Sequence, residues 1–387
     1  MNIFLVTSVP VVPPWDQGDK NLAYDLARAL PQHRFRILTA SEQASPEGDN
    51  LATEPLYRRR HPSLSEKANV YLQFLSRSTP YSTIPASWRS PDLYHLVYQP
   101  YPLSSWLGRF LPEFRRRPTV HTVPTTASGG PLARSLFFAD KVVSVSEHGR
   151  QELQALGLDN VTHIPPGIQI NRWYALRDQA DQLKARIGLG GHPTVLFPGH
   201  YGIGQGADVM LDALPDLVSE VPGVRVLFAC RPRSPDDQER ERQIREGVDA
   251  MGLTENVRYY GRVSDMETLI GASDLVALPL QTMQNKLDIP TTLLEALAAG
   301  KPIVISDLPP MSELISGTNG QPTPAHEVGL LVPPGDAKAV AQALATLFTD
   351  QRLRNHMGQT GQALAQAHFD IQQVARRYEQ LYKEMVH

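Results

Sequence analysis

Residues 286–305 read KLDIPTTLLEALAAGKPIVI and predict a helix followed by a buried strand. Pro290 predicts the helix start, because proline in a first helical turn costs no hydrogen bond. Leucine and alanine recur at helical spacing through residues 293–298, which predicts one face packed on a core. Gly300 and Pro302 end the helix, and the β-branched run after them predicts a strand of a parallel sheet.

The start of this predicted helix is suited to binding an anion. Free N–H groups in a first turn and the helix dipole both favour a phosphate there. Glu295, about one turn further on, could accept hydrogen bonds from sugar hydroxyls. Phosphate beside a polyol is the chemistry of a nucleotide-sugar site, whereas the alternative is an ordinary βαβ crossover with a surface glutamate. The candidate binding residues at the helix start are Ile289, Pro290, Thr291 and Thr292.

The composition indicates an ordinary globular chain of two domains. The chain has 387 residues, of which 41% are hydrophobic and 20% charged, and its net charge of −3 argues against a general nucleic-acid binder. Cys230 is its one cysteine, so no internal disulfide can form and a reducing compartment is expected. The first residues read as a strand and not as a signal peptide, and no apolar run reaches the ~18 residues that span a bilayer. A cytoplasmic protein is therefore predicted.

Residues 1–170 alternate short apolar strands with helices, which predicts a doubly wound parallel sheet. The loop before the first helix contains Gly18 and lies at the carboxyl end of the first strand, where ligands gather in such sheets. Gly18 could let a substrate approach the backbone, or it could belong to a plain turn. His121 lies within a later predicted strand, where a histidine is more often a core residue than a catalytic one. The hinge between the domains is placed at residues 165–186.

The second half opens with a strand, a glycine-rich loop at residues 199–206 and a helix, which is a phosphate-cradling arrangement. It also resembles a dinucleotide fingerprint, so an NADP-dependent oxidoreductase is a further hypothesis. That fingerprint needs a carboxylate after the next strand. Arg231 stands there instead, suited to a phosphate. Two basic clusters, at residues 57–61 and 115–117, are either solvated faces or contacts for an anionic acceptor or a membrane surface.

Seven segments together resemble the GT-B glycosyltransferases, and specifically family 4. They are VVSVSEHGRQEL, HIPPGIQINRW, the loop before GADVMLDALPDL, VRYYGRV, ASDLVALPL, LLEALAAGKPIVISD and GLLVPPGD, and their order and spacing are specific. The resemblance implies an α/β fold of two Rossmann-like domains facing a central cleft. It implies an acceptor-side domain at residues 1–170, a donor domain at 186–368 and a terminal helix at 370–387 that crosses back to the first domain.

The resemblance also implies retaining hexosyl transfer from a nucleotide-sugar donor, without a metal or other cofactor. Glu295 matches the second glutamate of the family's E-x7-E motif, which typically binds the donor ribose. Arg262 and Val263 match the part that usually contacts the base, and Gly18 matches the glycine-rich loop of the first domain. The remaining donor-binding candidates are Gly199, His200, Gly204, Gln205 and Arg231.

Several positions depart from the family pattern. The first glutamate of E-x7-E falls at Leu287, and the arginine and lysine that grip the diphosphate fall at His200 and Gln205. A histidine often found in the first domain's active-site loop falls at Pro124, with His121 close by. Lys286 could supply lost positive charge, and Asp288 could supply the lost carboxylate. The candidate catalytic residues are therefore His121, Lys286, Asp288 and Glu295.

These departures leave a hypothesis of another class open, namely a catalytically silent GT-B-like protein that binds a partner or a glycan. Glu295 and the retained glycine loops favour the enzyme instead. The sequence does not identify the base or sugar of the donor. The predicted acceptor is a glycan, a lipid-linked molecule or a small molecule, and the basic clusters leave open a peripheral contact at the inner face of a membrane.

Overall fold

A computed structural model describes residues 1–7, 11, 18–39, 48–55, 91–110, 116–126, 133–232, 234–261, 265–284, 286–317 and 327–386. The chain divides into two compact units. The first unit contains Met1–Ile168, Asn285–Ile289 and Asp370–His387, and the second contains Gln169–Gln284 and Pro290–Phe369. The chain therefore passes several times from one unit to the other.

The strands are short and mostly buried, as expected for parallel sheets that are covered on both faces. Those of the first unit are β1 (Asn2–Thr7), β2 (Arg34–Thr39), β3 (Leu51–Pro55), β4 (Leu93–Val97), β5 (Thr119–Val123), β6 (Lys141–Ser144) and β7 (Val161–His163). Those of the second unit are β8 (Thr194–Phe197), β9 (Arg225–Ala229), β10 (Val257–Tyr260), β11 (Leu275–Leu278), β12 (Ile303–Ser306) and β13 (Gly329–Val332).

Helices connect these strands. In chain order the described α-helices are α1 (Gly18–Ala29), α2 (Pro102–Phe110), α3 (Glu147–Ala155), α4 (Ile170–Tyr174), α5 (Ala180–Arg186), α6 (Ala207–Glu220), α7 (Pro235–Ala250), α8 (Met266–Ala272), α9 (Thr291–Ala298), α10 (Glu313–Ser316), α11 (Ala337–Thr349), α12 (Gln351–His368) and α13 (Ile371–Val386). None of the helices formed by the described residues has the length and apolar character needed to cross a bilayer.

Both sheets are parallel and doubly wound. The strand order is β3-β2-β1-β4-β5-β6-β7 in the first unit and β10-β9-β8-β11-β12-β13 in the second. Strand order reverses between β1 and β4 in one sheet and between β8 and β11 in the other. Ligands of such sheets bind at these switch points, beyond the carboxyl ends of the strands. The predicted architecture of two Rossmann-like parallel-sheet domains is confirmed.

The core of the first unit depends on its terminal helix. Val374, Tyr378 and Tyr382 of α13 are buried in the same cluster as Leu5 and Phe35 of the sheet. Helix α13 is amphipathic, and the face that it buries completes the apolar cover of this sheet.

A buried polar network also holds α13 to the sheet. The hydroxyl of Tyr382 lies 2.7 Å from Nδ1 of His95, and Nε2 of His95 lies 2.8 Å from Oγ1 of Thr122. The same threonine oxygen lies 3.0 Å from the hydroxyl of Tyr378. Burial lowers the pKa of His95 to about 3, so its imidazole is neutral at physiological pH. Each polar side chain of the network has a hydrogen-bond partner. Its burial therefore leaves no polar group of the network unsatisfied.

Two details differ from the sequence predictions. Residues 285–289 were assigned to the second domain, but they pack in the first unit, because the Asp288 N–H and carboxylate are hydrogen-bonded there. Gly18 was placed in a loop, but it is the first residue of α1. A Cβ atom at Gly18 would lie 2.2 Å from Cδ1 of Leu287, so a larger residue here would require the Leu287 side chain to shift.

Candidate functional site

The switch point of the second sheet brings two loops together. Strands β8 and β11 are paired, with Val195 opposite Leu275. The glycine-rich loop follows β8, and the loop into α9 follows β11. Since both strands are parallel, both loops lie at the same edge of this sheet. This edge is where the topology predicts a ligand.

The glycine-rich loop is held against the loop after β11 by backbone contacts. The N–H of Gln281 donates to the carbonyl of Gly204 over 2.9 Å. Gly204 and Gly206 have φ angles of 74° and 94°, which only glycine adopts readily. A Cβ atom on Gly206 would lie 3.1 Å from the carbonyl oxygen of Pro279. The glycines therefore permit both the turn and the close approach of the two loops.

Each of these loops leads into the N-terminus of a helix. Gly206 is the N-cap of α6, and Pro290 is the N-cap of α9. At neither helix does a side chain of the N-cap residue accept a hydrogen bond from the first turn. Helix N-termini carry partial positive charge and N–H donors. Thr291, Thr292 and Glu295 of α9 are half-buried, so they remain accessible at this edge. Two helix starts and a glycine loop form an arrangement suited to binding a diphosphate.

Helix α9 is fixed from behind by α12. The side-chain amide of Gln362 donates to the carbonyl of Ala298 over 3.2 Å. A Cβ atom on Gly358 would lie 2.4 Å from the carbonyl oxygen of Gly300, so the two helices meet with no room for a side chain. This packing determines where the N-terminus of α9 lies within the second unit.

The other predicted donor-binding residues of the second unit lie at or near the same edge. His200 is half-buried and forms a β-bridge with Gly206. The Gln205 side-chain amide lies 3.4 Å from the carbonyl of Gln284, to which it donates. Arg231 lies just beyond the carboxyl end of β9, and Gly199 begins the loop, where a Cβ atom would meet the ring of Phe197 at 2.0 Å. Arg262 and Val263 lie outside the described residues. The proposed ligand contacts of these residues stay predictions.

His121 is a fully buried residue of β5. Its Nε2–H donates to the carbonyl of Tyr98 over 2.9 Å, and its ring packs against the rings of Tyr98 and Phe137. Within the described part of the chain, Nδ1 has no hydrogen-bond partner. Burial lowers the pKa of His121 to about 4, so the ring is neutral at pH 7. The geometry favours the core role that the sequence left open over the catalytic one.

These two buried histidines predict an acid-sensitive first unit. An unfolded imidazole has a pKa near 6.5, whereas the folded pKa values of His95 and His121 are about 3 and about 4. Their contribution to stability is complete above pH ~6.5 and is lost as the pH falls toward the folded values, because only the unfolded state then binds protons. We expect about 2 kcal/mol per histidine to be lost between pH 6.5 and 5. Urea unfolding at pH 7 and pH 5 measures this loss, and equal midpoints would contradict it.

Asp288, like His121, is a predicted catalytic residue that lies in the interior of the first unit. It is completely buried, and its carboxylate accepts hydrogen bonds from the N–H and hydroxyl of Thr126 and from the hydroxyl of Ser146. Lys286, two residues earlier, is half-buried. The sequence suggested Asp288 as the replacement for a lost sugar-binding carboxylate, but its carboxylate accepts hydrogen bonds from groups of its own unit. Thr126 and Ser146 were not singled out from the sequence, although Ser146 lies within the segment VVSVSEHGRQEL of the family resemblance.

No metal site is visible in the part of the chain that the structure describes, where no group of three or more His, Cys, Asp or Glu side chains could hold an ion. The polar groups at the edge of the second sheet are instead backbone N–H groups, hydroxyls and Glu295. These are donors and acceptors for phosphate and sugar oxygens.

Comparisons with known proteins agree with this fold. Residues 18–172 match the family model "Glycosyltransferase Family 4", and residues 179–364 match "Glycosyl transferases group 1". Both matches are to glycosyltransferase models, and together with the fold they support the class of GT-B glycosyltransferases. Within that class the chain resembles family 4, as the sequence motifs indicated.

Among curated relatives, a phosphatidyl-myo-inositol mannosyltransferase of Mycobacterium leprae is 31% identical over 249 residues, which is 62% of this chain and 58% of that protein. The lipopolysaccharide core biosynthesis mannosyltransferase LpsB of Rhizobium meliloti is 27% identical, over 53% of this chain and 56% of that protein. The matched region therefore spans less than two thirds of the length of these relatives.

Solved structures share the fold over the whole chain. Anabaena Alr3699/HepE in complex with UDP has a TM-score of 0.74 at 18% identity, with 99% of this chain and 100% of that chain covered. Sucrose-phosphate synthase from Thermosynechococcus elongatus has a TM-score of 0.78 at 20% identity, with 99% of each chain covered.

Proposed function

We propose that this protein transfers a hexosyl group from a nucleotide-sugar to an acceptor, with retention of configuration and without a metal or other cofactor. The observation that supports this most directly is the contact between the glycine-rich loop and the loop that follows β11, at the switch point of the second sheet. Adjacent to them, Glu295 offers the carboxylate that a ribose or sugar hydroxyl needs. The relatives named above are glycosyltransferases.

In the proposed reaction, negative charge builds on the leaving diphosphate as the bond to the sugar breaks. Helix N-termini and backbone N–H groups that are already oriented stabilise such charge without reorganising. Thr291 and Thr292 contribute hydroxyls and N–H groups at the start of α9, and the Gly204–Gly206 turn contributes backbone groups. The acceptor attacks the face from which the diphosphate leaves, and a donor phosphate oxygen takes the acceptor's proton. This scheme requires no paired acid and base carboxylates.

A thermal-shift screen tests the donor class. A structural neighbour was solved with UDP, so UDP is included beside GDP, ADP and TDP and their common sugars. A nucleotide at a hundredfold excess over its Kd should stabilise the fold by about 2.7 kcal/mol. A shift with one base would name the donor class. No shift with any nucleotide would instead support a catalytically silent binding protein.

Glu295 should be essential for donor affinity. We expect Glu295→Ala to weaken nucleotide binding ~10- to 100-fold, because a hydrogen bond to a charged group is worth about 1.5–3 kcal/mol. Calorimetric titration of the wild type and the variant measures this loss. Glu255→Ala is the matched control, since that side chain is 84% exposed. Equal losses in both variants, or none in Glu295→Ala, would refute the assigned role.

For the acceptor, we propose a lipid-linked molecule or a glycan, reached at the inner face of a membrane. The relatives named above act, by their names, on phosphatidyl-myo-inositol and on the lipopolysaccharide core. Arg116 and Arg117 are exposed in the first unit, and the cluster at residues 57–61 lies outside the described residues. Basic side chains attract anionic lipid surfaces. Co-sedimentation with anionic vesicles at low salt tests this contact, and its absence would favour a soluble acceptor.

A further inference from the structure

The carboxylate of Asp288 lies in a closely fitted site of the first unit. Oδ1 accepts from the Thr126 N–H over 2.7 Å, and Oδ2 accepts from the hydroxyls of Thr126 and Ser146 over 2.8 and 2.7 Å. The Asp288 N–H donates to the carbonyl of Pro124 over 3.0 Å. These four hydrogen bonds engage residue 288 through both its side chain and its backbone. None of its surface is exposed.

These bonds join the carboxyl ends of two neighbouring strands. Pro124 and Thr126 follow β5, and Ser146 follows β6 and caps α3. The hydroxyl of Ser146 accepts from the Gly149 N–H over 2.9 Å while it donates to Asp288. The positive end of α3 therefore adds to the stabilisation of the carboxylate.

Gly149 shows how closely the carboxylate fits. A Cβ atom there would lie 2.8 Å from Oδ2 of Asp288 and 2.6 Å from Oγ of Ser144. The first turn of α3 thus has a glycine where any larger residue would displace the acid. Two residues after Asp288 the chain reaches Pro290, the N-cap of α9.

We propose that Asp288 is a positioning residue for the transfer reaction and makes no contact with the donor sugar. This inference rests on the proposed function. Both carboxylate oxygens already accept hydrogen bonds from the protein, and a buried carboxylate with several donors is held in one orientation. Asp288 acts through Thr126 and Ser146, whose backbone lies at the carboxyl edge of the first sheet. It also holds residues 286–289 within the first unit.

Three variants and a control test the proposal. Asp288→Asn replaces an acceptor by a donor, Thr126→Val removes one hydroxyl, and Ser146→Ala removes the other. Thr125→Val is the matched control, because its hydroxyl is equally buried but has no hydrogen-bond partner in the described part of the chain. Each variant is measured well below its own melting temperature, so that loss of folded protein does not enter the rates.

The measurements are the Kd of UDP, GDP and ADP and the rate of nucleotide release from the corresponding hexose donors with water as the acceptor. In that reaction the water oxygen takes the hexosyl group and the diphosphate takes the proton. Amide hydrogen exchange at Thr126 and Gly149 measures how well the hydrogen bonds of these two N–H groups, to Asp288 and to Ser146, are kept.

We expect Asp288→Asn to lower the release rate at saturating donor by ~10- to 100-fold, as small misplacements of a site do. Nucleotide Kd should change less than about twofold, since binding of the diphosphate is retained. Thr126→Val and Ser146→Ala should each give part of this loss, and neither should add to it in combination with Asp288→Asn. Exchange at Thr126 should accelerate. Thr125→Val should match the wild type.

Direct contact with the sugar predicts another pattern. Asp288→Asn would then raise the KM for the donor, while Thr126→Val and Ser146→Ala would act like the control, and the proposal would be overturned. Faster exchange with an unchanged release rate would also overturn it, because Asp288 would then be only structural. A wild type that neither binds nor cleaves any nucleotide-sugar would refute the proposed function itself, and this inference with it.

Discussion

Replacing Asp288 by alanine should destabilise the first unit by ~3–5 kcal/mol, because several buried hydrogen-bond donors lose their acceptor at once. The variant leaves one N–H and two hydroxyls without their acceptor in a site that water does not reach. Each such group costs about 1–3 kcal/mol, and the costs are not additive. For a unit of this size the melting temperature should fall by ~10 °C.

Asp336→Ala provides the comparison for this experiment. Asp336 is an exposed N-cap whose carboxylate accepts one hydrogen bond, from the Ala339 N–H over 2.9 Å. Removing such a cap typically costs ~1 kcal/mol. Differential scanning calorimetry resolves the two units if they unfold separately. A loss in Asp288→Ala no larger than that in Asp336→Ala would show that the buried carboxylate adds nothing beyond an ordinary cap.

Replacing Gly358 by alanine should impair both stability and nucleotide binding. The added Cβ atom would lie 2.4 Å from the backbone oxygen of Gly300, so α12 and the end of α9 must separate. Overpacking of this kind costs ~1–3 kcal/mol. Because the N-terminus of α9 is part of the proposed phosphate site, a shift of the whole helix should also weaken nucleotide binding by roughly tenfold.

Gly190→Ala is the matched control for this effect, because a Cβ atom at Gly190 would meet no other atom within 4 Å. Thermal unfolding and nucleotide titration of the two variants separate a general effect of alanine from the predicted clash. Unchanged nucleotide affinity in a destabilised Gly358→Ala variant would mean that the N-terminus of α9 keeps its position in the proposed phosphate site. Unchanged stability would mean that the two helices relax without cost.

The sheets could be predicted because their signals are local. A run such as residues 303–306 is short, apolar and β-branched, and it lies between a helix end and a turn. Helix α9 was predicted for the same reason, since Pro290 and Gly300 mark its two ends. Buried parallel strands and helix boundaries depend mainly on residues close in sequence.

The partners of Asp288 could not be predicted from the sequence, because 162 positions separate it from Thr126 and 142 separate it from Ser146. Its position beside a missing glutamate indicated a sugar contact, whereas burial and tertiary hydrogen bonds engage it elsewhere. The contact of Leu287 could not be predicted either. Relative to the family motif the sequence showed that a glutamate is replaced at this position, and only the structure showed that Leu287 packs against Gly18.

The use of α13 in the first unit has a consequence for synthesis on the ribosome. The core that contains Leu5 and Phe35 is incomplete until Tyr378 and Tyr382 have been made. At 5–20 residues per second, roughly 10–40 s pass between translation of Ile168 and that of Val386. During this interval the nascent sheet exposes the apolar face that α13 later covers, which makes it a natural substrate for chaperones.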